Sequence, residues 1–369
     1  MAVSTREQEV LDALAVVQDP DLHRDIVSLG FVQNMQIRGG DVAFDVNLTT
    51  PACPVKDMLR DQARSAVARL PWVSEVKVNM TARTVVGRGQ GGNTTPLIPR
   101  VKNVIAVASG KGGVGKSTTS VNLAMALSQT GATVGLLDGD IYGPNLPLMM
   151  GLREKPEVTG VEGKIDPVMR YGVKLMSIGF FLDEKKPVIW RGPMVHGALQ
   201  QFLRDVDWGE LDYLVVDLPP GTGDAPLSLA QLIPLSGAVI VTTPQDVAIQ
   251  DVQKGVAMFK QLEVPIIGVI ENMSYFVCPG CNERHELFGR GGGERVAKMF
   301  DLPFLGQVPL QPNVRSGGDE GTPIVMADPD SAAAQGFKGV AGAVARQVSM
   351  LAYQARGNFI PLGNLVIKK

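Results

Sequence analysis

Cysteine, aromatic side chains and net charge are all scarce in this chain. Its only three cysteines are Cys53, Cys278 and Cys281. That number is too small for a disulfide framework, so reduced thiols with a chemical role become the live alternative. Aromatic residues make up 5% of the 369 residues, and the formal net charge is −2. Bulk electrostatics therefore do not describe a nucleic-acid binder, and only a local basic patch could act as one. No uncharged apolar run reaches about 18 residues, so no membrane span is expected. Met1–Val17 has no basic stretch followed by a long apolar run. No secretory leader is expected there, and the cytoplasm is the expected compartment.

Glycine, by contrast, is abundant at 42 residues, and the 45% apolar content can fill a core. Both fit an α/β fold with close helix–sheet packing, and neither suggests disorder. Residues 1–83 read as a small α+β unit. Glu7–Val17 has helical apolar spacing, and Asp19-Pro20-Asp21 breaks it. Asn34–Leu48 alternates like a hairpin turning at Gly39-Gly40, Pro51–Leu70 reads as a second helix, and Val73–Met80 as a further strand. Residues 84–100 are dominated by Gly, Thr and Asn without apolar periodicity, as in a flexible linker.

From Val101 to Ala355 the pattern changes. Apolar runs at 104–108, 133–137, 213–216, 238–241 and 266–270 lack polar alternation, as expected for parallel strands buried on both faces. Helical stretches separate them, among them Thr118–Gln129 and Val247–Leu262, and a last helix is expected over Ala333–Ala355. This order predicts a doubly wound, mostly parallel sheet. Residues 356–369 contain Pro361 and Gly363 and read as an irregular tail.

Between the first such strand and its helix lies Gly110-Lys111-Gly112-Gly113-Val114-Gly115-Lys116-Ser117. It satisfies the G-x-x-x-x-G-K-[ST] phosphate-binding pattern in the required strand–loop–helix context. The glycines let backbone N–H groups wrap phosphate, and the helix N-terminus adds its dipole. Lys116 is expected at the β- and γ-phosphates of ATP, Ser117 on Mg²⁺, and Thr118 at the α-phosphate. Asp217 ends one buried strand, and Asp138 with Asp140 ends another. Ligands bind at the carboxyl ends of such strands, so the three acids can converge there. Asp217 and Asp138 are candidates for Mg²⁺, and Asp140 for polarising the attacking water. The bland alternative is that Asp138 or Asp140 merely caps the next helix.

Lys111, at the second position of the loop, is not required by the pattern. Lys-Gly-Gly-Val-Gly-Lys-Ser resembles the deviant Walker A motif of the MinD/ParA/nitrogenase-iron-protein class. That resemblance implies a homodimer in which Lys111 crosses to the partner's nucleotide. Asp138–Asn145, Trp190-Arg191-Gly192-Pro193-Met194, Asp217–Asp224 and Glu271-Asn272-Met273-Ser274 narrow it. Together they resemble the Mrp/ApbC iron–sulfur carrier ATPases over residues 101 to about 350. The resemblance implies that Asn272 contacts adenine and that the segment after Asp217 senses the nucleotide. Iron–sulfur scaffold and recipient apoproteins are the implied partners, with neither nucleic acid nor membrane.

Cys278-Pro279-Gly280-Cys281 admits several readings. A thioredoxin-like redox pair wants its second half to open a helix, whereas Asn282–His285 reads as loop. A single-chain zinc site would use Cys278, Cys281 and His285, without an evident fourth ligand. Two chains about a two-fold axis supply four thiolates, a natural [4Fe–4S] site. In Mrp/ApbC proteins this pair is the cluster site. His285 is then read as structural and not as a ligand. Cys53 precedes a helix, whose N-terminus is expected to lower its thiol pKa, the alternative being a buried structural cysteine. Residues 19–30 resemble the small metal–sulfur cluster assembly domain fused to many Mrp proteins, and Cys53 matches its cysteine as a cluster-transfer thiol.

The leading expectation is an ATPase that carries a [4Fe–4S] cluster. Its rivals are a ParA/MinD-like positioning ATPase and a zinc-stabilised nucleotide-dependent regulator. A membrane-binding relative would end in a basic amphipathic helix, and neither positioning role needs the cysteine pair.

Overall fold

Alternation along Asp41–Leu48 decides the first unit. Val42, Phe44, Val46 and Leu48 are buried, while Asp41, Ala43, Asp45 and Asn47 face the other way. A period of two is what one strand face needs to cover a core. The computed structural model describes residues 5–82, 84, 97–158, 163–182 and 192–357. It divides into two compact units, Met1–Val85 and Val86–Lys369. Most of the expected linker, Trp190-Arg191 and residues 358–369 of the expected tail lie outside the described residues.

In the first unit, α1 (Thr5–Leu14) leads into a short antiparallel ribbon of β1 (Gln18–Asp19) and β2 (Arg24–Asp25). Next come β3 (Val32–Arg38), β4 (Asp41–Leu48), α2 (Lys56–Val67) and β5 (Glu75–Ala82). Strand β4 is central, antiparallel to β3 and parallel to β5. The turn between β3 and β4 holds Gly39 at φ +61, a left-handed conformation cheap only for glycine. Leu59, Ala63 and Val67 of α2 and Val10 and Leu14 of α1 close over the sheet. Each large apolar side chain so buried contributes on the order of 2 kcal/mol. Helix α2 starts at Lys56, not at Pro51 as expected. Pro54 disfavours helical backbone at Cys53, so residues 51–55 form turns instead.

The second unit is an eight-stranded sheet. Its first elements are β6 (Val101–Ser109), α3 (Lys116–Gln129), β7 (Val134–Asp138) and α4 (Leu146–Met149). They are followed by β8 (Val168–Arg170), β9 (Val173–Ser177), α5 (Gly192–Arg204), β10 (Leu211–Asp217) and α6 (Asp224–Leu232). Then come β11 (Gly237–Thr242), α7 (Asp246–Gln261), β12 (Ile266–Glu271) and the small strands β13 (Phe276–Val277) and β14 (Arg284–His285). The chain continues with α8 (Gly292–Phe300), β15 (Phe304–Gln307), α9 (Pro312–Glu320), α10 (Ile324–Ala327) and α11 (Ala332–Gly357). Strand order is β15-β12-β11-β6-β10-β7-β9-β8, all parallel except β8 against β9. Strands β7, β10 and β11 are buried at every residue, which accounts for their unbroken apolar runs. Thr119 to Leu127 of α3 are all buried, because the helix lies between the sheet and α11. Among the described residues, no helix is long and apolar enough to cross a membrane.

Candidate nucleotide site and cysteine hairpin

Parallel strands put their carboxyl ends on one edge, and three carboxylates end there together. Asp217 of β10 is in register with Asp138 of β7 on one side and with Val107 of β6 on the other. The loop from β6 to α3 closes over them. Gly115, the residue before α3, has φ +79, and a Cβ there would drive into the Asn272 amide. Among the described residues, no side chain caps α3. Its first-turn N–H groups are left for a ligand, as a phosphate loop requires.

Lys116 is buried at 6% exposure, with Nζ 2.9 Å from Asp217 Oδ2, 3.7 Å from Asp140 Oδ2 and 3.2 Å from Ser117 Oγ. Ser117 Oγ donates to Asp217 Oδ2 at 2.6 Å, and Ser120 Oγ to Asp217 Oδ1 at 2.6 Å. One ammonium thus faces two carboxylates, with Asp138 behind them. Asp138 is fully buried and accepts from Ser177 Oγ at 2.9 Å and from the N–H groups of Asp140 and Leu146. Burial, and then the Asp217 charge, push its pKa up to about 8. Burial also raises Asp140, with Lys116 opposing. The clustered acids are what a divalent cation would neutralise. Ser117 Oγ and Asp217 Oδ2 offer hard oxygens side by side, the donor type that suits Mg²⁺.

The other expected residues fall around this centre. Gly110, Gly112 and Gly113 line the loop, and the Lys111 carbonyl accepts from Ser109 Oγ at 3.0 Å. The Lys111 side chain is half-buried and makes no ion pair among the described residues. Val114 is buried, and its carbonyl accepts from Asn272 Nδ2 at 2.9 Å. Thr118 is half-buried in the first turn of α3. Asn272 therefore braces the loop backbone from the end of β12. After Asp217, Leu218 N–H bonds Val107 O and Gly221 N–H bonds Ser109 O, which ties the expected sensing segment to the strand before the loop. Sequence reasoning missed Ser120 and Ser177. Ser120 lies one turn after the loop, where its hydroxyl reaches the same acid. Ser177 comes from β9, whose register beside Asp138 no motif announces.

Beyond β12, Glu271 is fully buried; it accepts from Ser274 Oγ at 2.5 Å and from Gly293 N at 2.6 Å. This clasp anchors the hairpin β13–β14, whose turn is Cys278-Pro279-Gly280-Cys281. Cys278 N–H bonds Glu283 O at 3.0 Å and Asn282 N–H bonds Cys278 O at 2.8 Å. The N–H groups of Cys281 and Gly280 point at the Cys278 sulfur and hold its thiol below the usual range. Cys278 is half-buried and Cys281 exposed. Of the loop expected over 282–285, Asn282 and Glu283 are irregular, whereas Arg284 and His285 form the returning strand of this hairpin.

Cys53 departs from expectation. It packs against the core of the first unit, and burial pushes its thiol up to about 11, not down. The helix N–H groups that would stabilise a thiolate begin only at Lys56. Burial outweighs the bond from Val55 N–H.

Comparison with known proteins agrees with this geometry. Residues 100–345 match the family described as NUBPL iron-transfer P-loop NTPase, and residues 7–79 match the family described as iron–sulfur cluster assembly protein. The chain is 49% identical to the iron–sulfur cluster carrier protein of Synechocystis, over 93% of this chain and 98% of that one. A nucleotide-binding protein of Archaeoglobus fulgidus, solved in complex with ADP, is 41% identical and superposes at a TM-score of 0.54, covering 60% of this chain and 87% of its own. The cell division ATPase MinD of Pyrococcus furiosus superposes at 0.50 with 25% identity, covering 66% and 98%. On its phosphate loop, its sheet and these matches, the chain belongs to the NUBPL iron-transfer P-loop NTPase family, joined to an amino-terminal region of the iron–sulfur cluster assembly protein family.

Proposed function

We propose that this protein is an ATP-hydrolysing iron–sulfur carrier. Two protomers hold one [4Fe–4S] cluster between their Cys278 and Cys281 pairs and pass it to recipient apoproteins. The observation that carries this reading is the cysteine turn on β13–β14, which is rooted by Glu271 at the same sheet edge as the phosphate loop. The names of the matching family and of the Synechocystis protein support the cargo, and ADP in the Archaeoglobus protein supports the nucleotide.

In this reading Lys116 leaves Asp217 for the β- and γ-phosphates, and the N–H groups of residues 112–117 bind the phosphate oxygens. Ser117 and Asp217 would hold Mg²⁺, with Asp138 supporting from behind, and the bound ion would supply charge neutralisation at the phosphates. Asp140, beside Lys116, orients the attacking water. Lys111 reaches the partner's nucleotide and stabilises the charge that develops there, as an arginine finger does. Asn272, whose amide bonds the Val114 carbonyl beside the loop, contacts the base in this reading. Cargo binding follows from donor count. A [4Fe–4S] cluster normally takes four thiolates, and each chain brings two at this turn.

Anaerobic reconstitution tests the reading, with iron, sulfide and sedimentation measured on the same samples. About four irons per two chains are expected, with a shift toward dimer. Cys278→Ala or Cys281→Ala should remove nearly all of the iron, since each deletes two of four ligands by symmetry. A monomer that retains a full four-iron cluster overturns the bridging arrangement.

A further inference from the structure

Helix α3 grips the Asp217 carboxylate at both of its oxygens. Ser117 and Ser120 stand three positions apart on α3, and residues at that spacing are neighbours on one helix face. Ser117 Oγ donates to Asp217 Oδ2 at 2.6 Å, and Lys116 Nζ lies 2.9 Å from the same oxygen. Ser120 Oγ reaches the other oxygen, Oδ1, at 2.6 Å. It also lies 3.1 Å from the Lys116 carbonyl, one turn back. A hydroxyl has a single proton, and the shorter of these contacts is the one to a carboxylate, so the proton goes to Asp217. Ser120 and Asp217 are both fully buried, which leaves bulk water no access as a substitute partner. Oδ2 thus shares its partners with the phosphate loop, whereas Oδ1 is held by a residue one turn further along the helix.

We propose that Ser120 is a positioning residue for the divalent cation that accompanies the nucleotide: by holding Oδ1 it keeps Oδ2 turned toward Ser117. This role rests on the Mg²⁺-nucleotide reading given above. In that reading Lys116 leaves Asp217 for the phosphates, so Oδ2 gives up its ammonium partner when the nucleotide is bound. Ser120 takes no part in that exchange. The last torsion of a free carboxylate side chain is broad, with no sharp minimum to fix its plane. The bond from Ser120 stops that rotation in both states, so Asp217 meets the ion already oriented. Ser120 itself touches neither phosphate nor ion. Its influence is therefore confined to the metal-dependent part of nucleotide binding. A serine that only packed α3 against β10 would, when lost, weaken nucleotide binding equally with and without the ion.

The test is calorimetric titration of the full-length protein with a non-hydrolysable ATP analogue, at graded Mg²⁺ and in excess EDTA. Ser120→Ala is expected to match the parent in EDTA, which also shows that the variant is folded. The Mg²⁺ concentration at half-effect should rise by about tenfold or more, as for loss of a group that orients a metal ligand. Ser120→Thr and Ser120→Val add similar bulk and differ in the hydroxyl. The threonine variant should need about tenfold less Mg²⁺ than the valine variant. Parent-like Mg²⁺ dependence in Ser120→Ala overturns the proposal, as does equal weakening with and without the ion, or Ser120→Thr responding to Mg²⁺ no better than Ser120→Val. A parent whose affinity for the analogue ignores Mg²⁺ overturns the Mg²⁺ reading itself and this role with it. A Mg²⁺-dependent parent beside an unaffected Ser120→Ala overturns the role of Ser120 alone.

Discussion

Lys116 and Asp138 divide the electrostatics of the nucleotide centre between them. Among the described residues, Lys116 is the one cation that pairs with Asp217 and Asp140. Lys116→Ala should therefore leave a buried acidic cluster uncompensated and phosphate without its main cation. Steady-state ATPase assays are expected to show a loss on the order of 100-fold or more; undiminished turnover would contradict the site. Asp138 gives a pH signature. Its folded pKa of about 8 stands against an ordinary 3.8. The nucleotide-free fold thus keeps a proton that the unfolded chain releases. The stability tied to this group is full below pH 3.8 and is lost as pH rises toward about 8. Asp138→Asn removes that dependence. Thermal unfolding without Mg²⁺ or nucleotide should show the variant gaining on the parent steadily from pH 4 to pH 8. A constant difference across that range would mean that Asp138 is ionised in the fold.

At the scale of elements, the phosphate loop depends on neighbours distant in sequence. Asn272, at the end of β12, fills the space that a side chain on Gly115 would take, and its amide bonds Val114 O. Gly115→Ala meets two penalties: about 1–2 kcal/mol for a left-handed non-glycine residue, and displacement of Asn272. A lowered melting temperature with strongly weakened ADP binding by calorimetry is expected; unchanged ADP affinity would show that the loop does not need this contact. The motif in the sequence revealed the loop but not its brace. Asn272 lies 158 positions from Val114, and only the β11–β12 pairing brings it there. The short strands were equally hard to read. Two residues each in β13 and β14 give no period to detect.

For the whole molecule, each unit has its own core. The first is closed by residues from Val10 to Met80 alone. Every residue proposed for nucleotide or cluster lies beyond Val101. A fragment of residues 101–369 should accordingly bind ATP and take up iron and sulfide like the full chain, while residues 1–83 fold by themselves. Circular dichroism, ATP binding and reconstitution of the separate fragments check this. A folded 101–369 fragment that binds neither ligand would show that the two units share a site.

Fully buried parallel strands announce themselves as unbroken apolar runs, because neither face meets water. The phosphate loop announces itself because only glycine tolerates its backbone. The parallel sheet, the nucleotide loop, the acids at strand ends and the paired cysteines were therefore determined by sequence alone. Tertiary structure decided what depends on neighbours. Burial turned the Cys53 thiol upward, against the pull of the helix start. Strand register set Ser177 against Asp138, and the turn of the hairpin brought Glu283 and His285 beside Cys281. Desolvation and long-range pairing are properties of the packed chain, so no local pattern of residues encodes them.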